Sequence, residues 1–264
     1  MVKESVEFIR AESPLRPKIA LILGSGLGDF AELLTDKIVI PTNAIPHYPQ
    51  STVEGHKGNL VFGKLQHITL LAFQGRVHFY ETGNTETILY PIRIAHGLHI
   101  KKMIITNAAG GVNTSFRPGD LMLIEDQINL TFENSVDKKS FILKHDLYDP
   151  EIRRIIEQAA QEKNIPIKKG VYCGIKGPSY ETAAEIAMLR NFGVDAIGMS
   201  TVNEVSLASA LGLKIGGISC ITNLSTGILD QKLSHEEVTE IANKVKRPFS
   251  SLLQEIIHML SKII

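Results

Sequence analysis

Cysteine is scarce: the chain holds two, Cys173 and Cys220, each inside an apolar stretch. That excludes a disulfide framework and points to a reducing compartment. No C-x-x-C pair and no His/Cys cluster is present, so no metal site and no bound cofactor is expected. Net charge is lacking too, with 28 basic against 28 acidic residues. No global field draws in nucleic acid or an anionic membrane, and any anion must be caught locally. No uninterrupted apolar run approaches the ~18 residues of a membrane span. The first sixteen residues carry Lys3, Glu4, Glu7, Arg10, Glu12 and Arg16, and the apolar run that follows, Ile19 to Leu23, is too short for a signal peptide. A cytoplasmic protein is expected. Repeats, low-complexity tracts and Ser/Gly-rich linkers are also missing, so residues 1–264 read as one domain.

What is present suits a single large core. At 264 residues and 44% hydrophobic side chains, a chain of this size buries roughly 70–75% of its extended surface without staples. Short apolar or β-branched runs bounded by Gly, Asn or Asp read as strands: Ile19–Leu23, Leu60–Phe62, Ile68–Phe73, Met103–Thr106, Leu121–Ile124, Val171–Ile175, Ala196–Met199 and Ile215–Ile221. Apolar residues at three- and four-residue spacing mark helices over Glu151–Lys163, Thr182–Arg190, Val202–Leu211 and Glu236–Ile263. Capping-box spelling starts three of them, Thr182 with Glu185, Thr201 with Glu204 and Ser234 with Glu237. Pro248 is expected to kink or split the last helix, and 131–147 reads as a long loop. The fold class is therefore α/β, an open, twisted central sheet, largely parallel or mixed, flanked by helices. Ligands belong at the carboxyl ends of its strands.

Seven segments carry chemistry, each beside a plain structural reading. Gly24-Ser25-Gly26-Leu27-Gly28 follows a strand and can aim amides and the Ser25 hydroxyl at an anion. It equally suits a tight strand–helix turn, and Asp29 spoils the dinucleotide fingerprint. Arg76 and His78 alternate to one side of an extended Gly75–Tyr80 and offer donors to phosphate. The plain reading is a solvated loop whose arginine pairs with a surface carboxylate. Gly55-His56-Lys57-Gly58 supplies a loop histidine. Thr106-Asn107-Ala108-Ala109-Gly110-Gly111 is a strand end whose small residues allow close approach of a ligand or of packing neighbours. Gly177-Pro178-Ser179-Tyr180-Glu181-Thr182 presents an aromatic ring and a carboxylate ahead of a helix, where Glu181 also suits the macrodipole. Gly198-Met199-Ser200-Thr201 and Ile221-Thr222-Asn223 are further strand ends.

In order, GSGLG, STVEGHKG, QGRVHFYE, TNAAGG, GPSYET, AIGMSTVNEV, CITN and SHEEV closely resemble the trimeric purine nucleoside phosphorylases that handle 6-oxopurine nucleosides, over about residues 19 to 245. The resemblance implies a nucleoside phosphorylase-like fold, a homotrimer, a role in purine salvage, and inorganic phosphate as co-substrate. It implies that phosphate is held by Ser25, His56, Arg76, His78, Ala108 and Ser200. Ribose is implied to meet Tyr80, Met199 and His235. The base is implied to meet Tyr180, Glu181 and Asn223, and the catalytic roles fall to Asn223, His78 and Glu181. Two departures stand out. Tyr180 replaces the family's usual phenylalanine, and the segment between Leu130 and Tyr148 is short and lacks the family's arginine-phenylalanine-proline stretch. Phe132 and Phe141 are the available substitutes for the phenylalanine that closes a neighbouring subunit's pocket, and neither matches in context.

Three competing expectations remain. A purine nucleosidase using water would keep Glu181 and Asn223 but has little use for Arg76, His78 and Ser25 together. A non-catalytic nucleoside sensor would need no anion beneath the sugar. A dinucleotide-dependent dehydrogenase is disfavoured by Asp29.

Overall fold

The architecture comes from a computed structural model, which describes residues 1–53, 55–136, 146–228 and 235–263, apart from the side chains of 235–239, 242 and 243. The strands are β1 (Ile19–Leu23), β2 (Thr35–Pro41), β3 (Asn59–Leu65), β4 (Ile68–Gln74), β5 (Lys102–Gly111), β6 (Leu121–Asn129), β7 (Ile167–Gly174), β8 (Ala196–Gly198) and β9 (Lys214–Leu224). The helices are α1 (Val2–Glu12), α2 (Phe79–Thr82), α3 (Thr85–Gly97), α4 (Pro150–Glu162), α5 (Ala183–Asn191), α6 (Val202–Ala210) and α7 (His235–Ser261).

Every residue of β1 is buried, as expected of a strand covered on both faces. Its side chains divide by the two-residue period of a strand. Ala20 and Ile22 pack with Ile9 of α1, Ile92 of α3 and Val205 of α6. Ile19, Leu21 and Leu23 pack with Ile152 of α4 and with Phe249 and Leu252 of α7 on the other face. Burying a side chain of this size is worth about 1.5–3 kcal/mol, so the central strands anchor both helical layers.

The sheet is mixed, in the order β2-β3-β4-β1-β5-β8-β7-β6-β9, and β5 also pairs with β9. That last pairing corrects the open sheet expected from the sequence. Strands β5, β8, β7, β6 and β9 close into a ring, and β1, β4, β3 and β2 extend from it as an open wing. The closure comes from length: β5 reaches Gly111 and β9 reaches Leu224, parallel from Lys102↔Lys214 to Gly111↔Leu224 with a register shift at Ala109/Gly110. An apolar-run reading ends β5 at Thr106, before the small residues that complete the ring.

The edge strand β2 has one buried residue, and its short apolar run Ile38–Ile40 is not among the strands expected from the sequence. Helix α3 carries Pro91 in its interior and is capped by Asn84. Pro248 does not split α7, which runs unbroken from His235 to Ser261. The Thr182–Glu185 box forms as spelled, while at Thr201 only its Glu204 half forms, the carboxylate accepting from the Thr201 amide and the Thr201 hydroxyl making no cap hydrogen bond. The Ser234–Glu237 box and residues 137–145 of the expected loop lie outside the described residues. No helix among the described residues is long and apolar enough to cross a membrane.

Candidate active site

A cavity of about 380 Å³ opens where β1, β5, β8 and β9 end, as the strand-end rule anticipates. Ser25, Arg76, His78, Tyr80, Ala108, Tyr180, Glu181, Met199, Ser200 and Asn223 all line it. Arg76 and Asn223 therefore face one space.

One group of these side chains is assembled by Arg76, which is buried. Its Nη1 donates to Glu204 Oε2 at 2.9 Å and to Thr201 Oγ1 at 3.3 Å, and its Nη2 donates to the Thr106 carbonyl. The carboxylate that pairs with Arg76 is thus a buried one on α6, in place of the surface partner of the plain reading. A guanidinium has five N–H donors, so two remain for a ligand. Pairing and hydrogen bonding of this kind offset the several kcal/mol that desolvating each charge costs.

His56 does not line the main cavity. Its Nδ1 donates to the Arg76 carbonyl at 2.7 Å, which leaves Nε2 facing Ser25 Oγ at 3.2 Å. Burial pushes its pKa down to about 4, with the nearby His78 and Arg76 adding to the fall, so the ring is neutral near pH 7. Gly75 makes this approach possible, since a Cβ there would lie 2.6 Å from His56 Cβ, and its φ is +98°.

His56, His78 and Tyr80 form a stack, with ring centroids 5.3 and 5.0 Å apart and interplanar angles of 18° and 11°. Glu81 fixes it. The carboxylate accepts from the His78 amide at 2.6 Å, His78 Nδ1 at 3.1 Å, Thr52 N at 2.5 Å and Ser51 Oγ at 3.1 Å. Burial pushes the Glu81 carboxyl up, but the hydrogen bonds from His78 and Thr52 outweigh it and hold the pKa at about 2. The permanent anion ties the loop carrying His56 to the strand end carrying His78.

Asn223 sits near the end of β9. The Thr222 hydroxyl donates to its Oδ1 at 3.0 Å, while among the described residues Nδ2 has only a long 3.4 Å contact to the Leu224 carbonyl. The amide is oriented with its donor side available. Burial raises the pKa of the Glu181 carboxyl, its own backbone amide pulls it down, and Glu185 adds to the rise. Tyr180 is 45% exposed at the cavity rim. Gly177, at φ +68°, lets this segment close on Met199, since a Cβ would lie 2.3 Å from the Met199 sulfur. His235 is the first residue of α7, and its side chain lies outside the described residues. Phe132 is 86% exposed, and Phe141 lies outside the described residues. Among the described residues no cluster of His, Cys, Asp or Glu is placed to hold a metal ion.

The residues that the motif reading left without a site role are Glu204, Glu81, Asn107 and Thr222. Glu204 was legible as a helix cap and a letter of AIGMSTVNEV, and Glu81 only as the last letter of QGRVHFYE.

Comparison with known proteins gives a uniform result. Residues 18–258 match the phosphorylase superfamily. The chain is 46% identical to purine nucleoside phosphorylase 1 of Bacillus subtilis, over 97% of each chain. Crystal structures of the Schistosoma mansoni purine nucleoside phosphorylase with inosine and with adenosine each superpose with a TM-score of 0.89 at 35% identity, covering 97% of this chain and 95% of that one.

Proposed function

The chain belongs to the phosphorylase superfamily and within it to the purine nucleoside phosphorylases, and from that premise we propose that it cleaves 6-oxopurine ribo- and deoxyribonucleosides with phosphate, reversibly. The observation that carries the reading is the shared cavity, in which the phosphate-facing groups Arg76, His78, Ser25 and Ser200 meet the carboxylate of Glu181 and the amide of Asn223. A nucleosidase would use water and have no need of that donor set.

In this reading phosphate rests against Arg76, Ser25, His78, Ser200 and the main chain at Ala108, and the Ser25 hydroxyl, whose proton His56 Nε2 accepts at 3.2 Å, turns to the oxyanion as it binds. Ribose lies along Tyr80 and Met199, and His235 takes the 5′-hydroxyl. Glu181 accepts the N1 proton of the base, Asn223 donates near N7, and Tyr180 covers the ring.

A phosphate oxygen forms the new bond to C1′ as the glycosidic C–N bond breaks. The electron pair of that bond passes into the purine. The sugar becomes oxocarbenium-like, and the phosphate anion stabilises it from below. Negative charge grows on the base beside Asn223, so this donor strengthens in the transition state rather than binding substrate and transition state equally. One displacement inverts the β-nucleoside to α-ribose 1-phosphate and free base. His78, its Nδ1–H held by Glu81, presents Nε2 to a P–OH group of the phosphate, from which the neutral ring accepts. No residue here is required to form a covalent intermediate, and no cofactor takes part.

The same reading makes the protein a cytoplasmic homotrimer of purine salvage. The buried free thiols Cys173 and Cys220 and the family resemblance support it. Sedimentation of the purified protein tests the trimer. Incubation with inosine, with and without phosphate, tests the reaction. Hypoxanthine and ribose 1-phosphate should form only when phosphate is present, and release of free ribose at the same rate without phosphate would replace this reading with the nucleosidase.

A further inference from the structure

Thr201 occupies a backbone conformation that branched side chains avoid. Its φ is 76° and ψ −54°, and it is 1% exposed. Such a conformation persists only where the surroundings over-determine it, and it is a reason to look for function. The surroundings of this hydroxyl are polar. Arg76 Nη1 donates to Thr201 Oγ1 at 3.3 Å, Asn107 Nδ2 donates to it at 2.9 Å, and Ser200 Oγ lies 3.1 Å away.

A hydroxyl has two acceptor lone pairs and one proton. A guanidinium and an amide nitrogen can only donate, so these two bonds fill both lone pairs of Thr201. Its single proton is left for Ser200. Ser200 then accepts at that contact, and its own proton turns away from Thr201. Ser200 lines the cavity and Thr201 does not.

We infer that Thr201 is a positioning residue that presets Ser200 as a hydrogen-bond donor to the oxyanion, through the proton it gives Ser200 and the two donors it takes from Arg76 and Asn107. The inference rests on the phosphorolysis reading and deepens its phosphate end. The Ser200 proton is kept off Thr201 before phosphate arrives, so Thr201 does not compete with the oxyanion for it. The strained backbone of residue 201 aims its side chain into the core, between Arg76 and Ser200.

The test is steady-state kinetics with phosphate and inosine each varied. Thr201→Val keeps the branched shape and removes the hydroxyl. It should raise KM for phosphate by about tenfold to a hundredfold, the loss expected for one hydrogen bond to a charged group, while KM for inosine stays within twofold. Thr201→Ser should restore phosphate KM to within threefold of the parent. Ser200→Ala should lose a similar amount, and adding Thr201→Val to it should cost less than a further threefold, because the two act as a unit. If Thr201→Val does not fold, Thr201→Gly also lacks the hydroxyl, suits a positive φ, and carries the same expectation. Equal rises in both KM values, failure of serine to rescue, or losses that multiply in the double variant would overturn the inference. A parent protein with no phosphate-dependent cleavage would instead overturn the function on which it rests.

Discussion

The guanidinium of Arg76 meets the carboxylate of Glu204 at 2.9 Å, with 2% and 3% of the two side chains exposed. Glu204 Oε2 also accepts from the Thr201 amide at 2.7 Å, and Oε1 has no hydrogen-bond partner among the described residues. Removing one member of a buried pair leaves the other charge uncompensated, at a cost of about 3–5 kcal/mol. Glu204→Ala should lose that much in urea denaturation. Phosphate, binding only the folded form, should stabilise the variant more than the parent, since it supplies the missing anion. A loss below about 1 kcal/mol, the scale of a surface pair, would show that solvent reaches Arg76.

The histidine beside Ser25 should leave a mark on acid stability. His56 has its pKa pushed from 6.5 down to about 4 by burial and then by His78 and Arg76. Between those values the unfolded chain holds a proton that the folded one does not, so stability is complete above about pH 6.5 and falls as pH drops toward 4. The full window is worth about 3 kcal/mol at most. His56→Asn should flatten this limb in denaturation midpoints measured from pH 7 to 4. An unchanged slope would mean that His56 takes up its proton as readily folded as unfolded.

Base selection should depend on Glu181. Glu181→Ala loses a hydrogen bond involving a charged acceptor, worth ~1.5–3 kcal/mol, so kcat/KM for inosine should fall by about one to two decades. Adenosine offers an amino group to the donor side of Asn223 and has no N1 proton for Glu181, so the parent should turn it over poorly. The Schistosoma mansoni relative crystallises with adenosine, so turnover, read as adenine release, is the discriminating measurement. Efficient adenosine cleavage, or an unchanged constant for inosine in the variant, would move the base elsewhere in the cavity.

The site was legible to the extent that its chemistry is written as local words. Ser25, Arg76, Glu181 and Asn223 stand beside glycines at strand ends, and their motifs name them without knowledge of how the strands pair. Glu204 and Thr201 were hidden because a capping box explains both by itself, as it does for Thr182 and Glu185. Nothing local reveals that Arg76, 128 positions away, shares the Glu204 carboxylate. The fold divides likewise. The apolar run of β1 specifies a covered strand, whereas the closure of β5 on β9 depends on Ala108 to Gly111 continuing the pairing, and small residues there look the same as a loop.

The amide of Asn223 offers the sharpest test of the chemistry. Thr222 donates to Oδ1 at 3.0 Å, which turns Nδ2 toward the cavity before any ligand is bound. A preorganised donor at a site of developing charge typically contributes 10²–10³ in turnover. Asn223→Ala should therefore lower kcat for inosine phosphorolysis about 10²–10³-fold. KM for phosphate should stay within about threefold, because the Arg76 and Ser200 hydrogen bonds do not involve residue 223. Thr222→Val should give a smaller loss in kcat of about three- to tenfold, because it frees the amide to rotate while leaving it in place, an effect of about one hydrogen bond. If Asn223→Ala kept turnover within tenfold of the parent, departure of the purine would not draw on this donor. If Thr222→Val matched the alanine variant, orientation rather than presence of the amide would carry the whole effect.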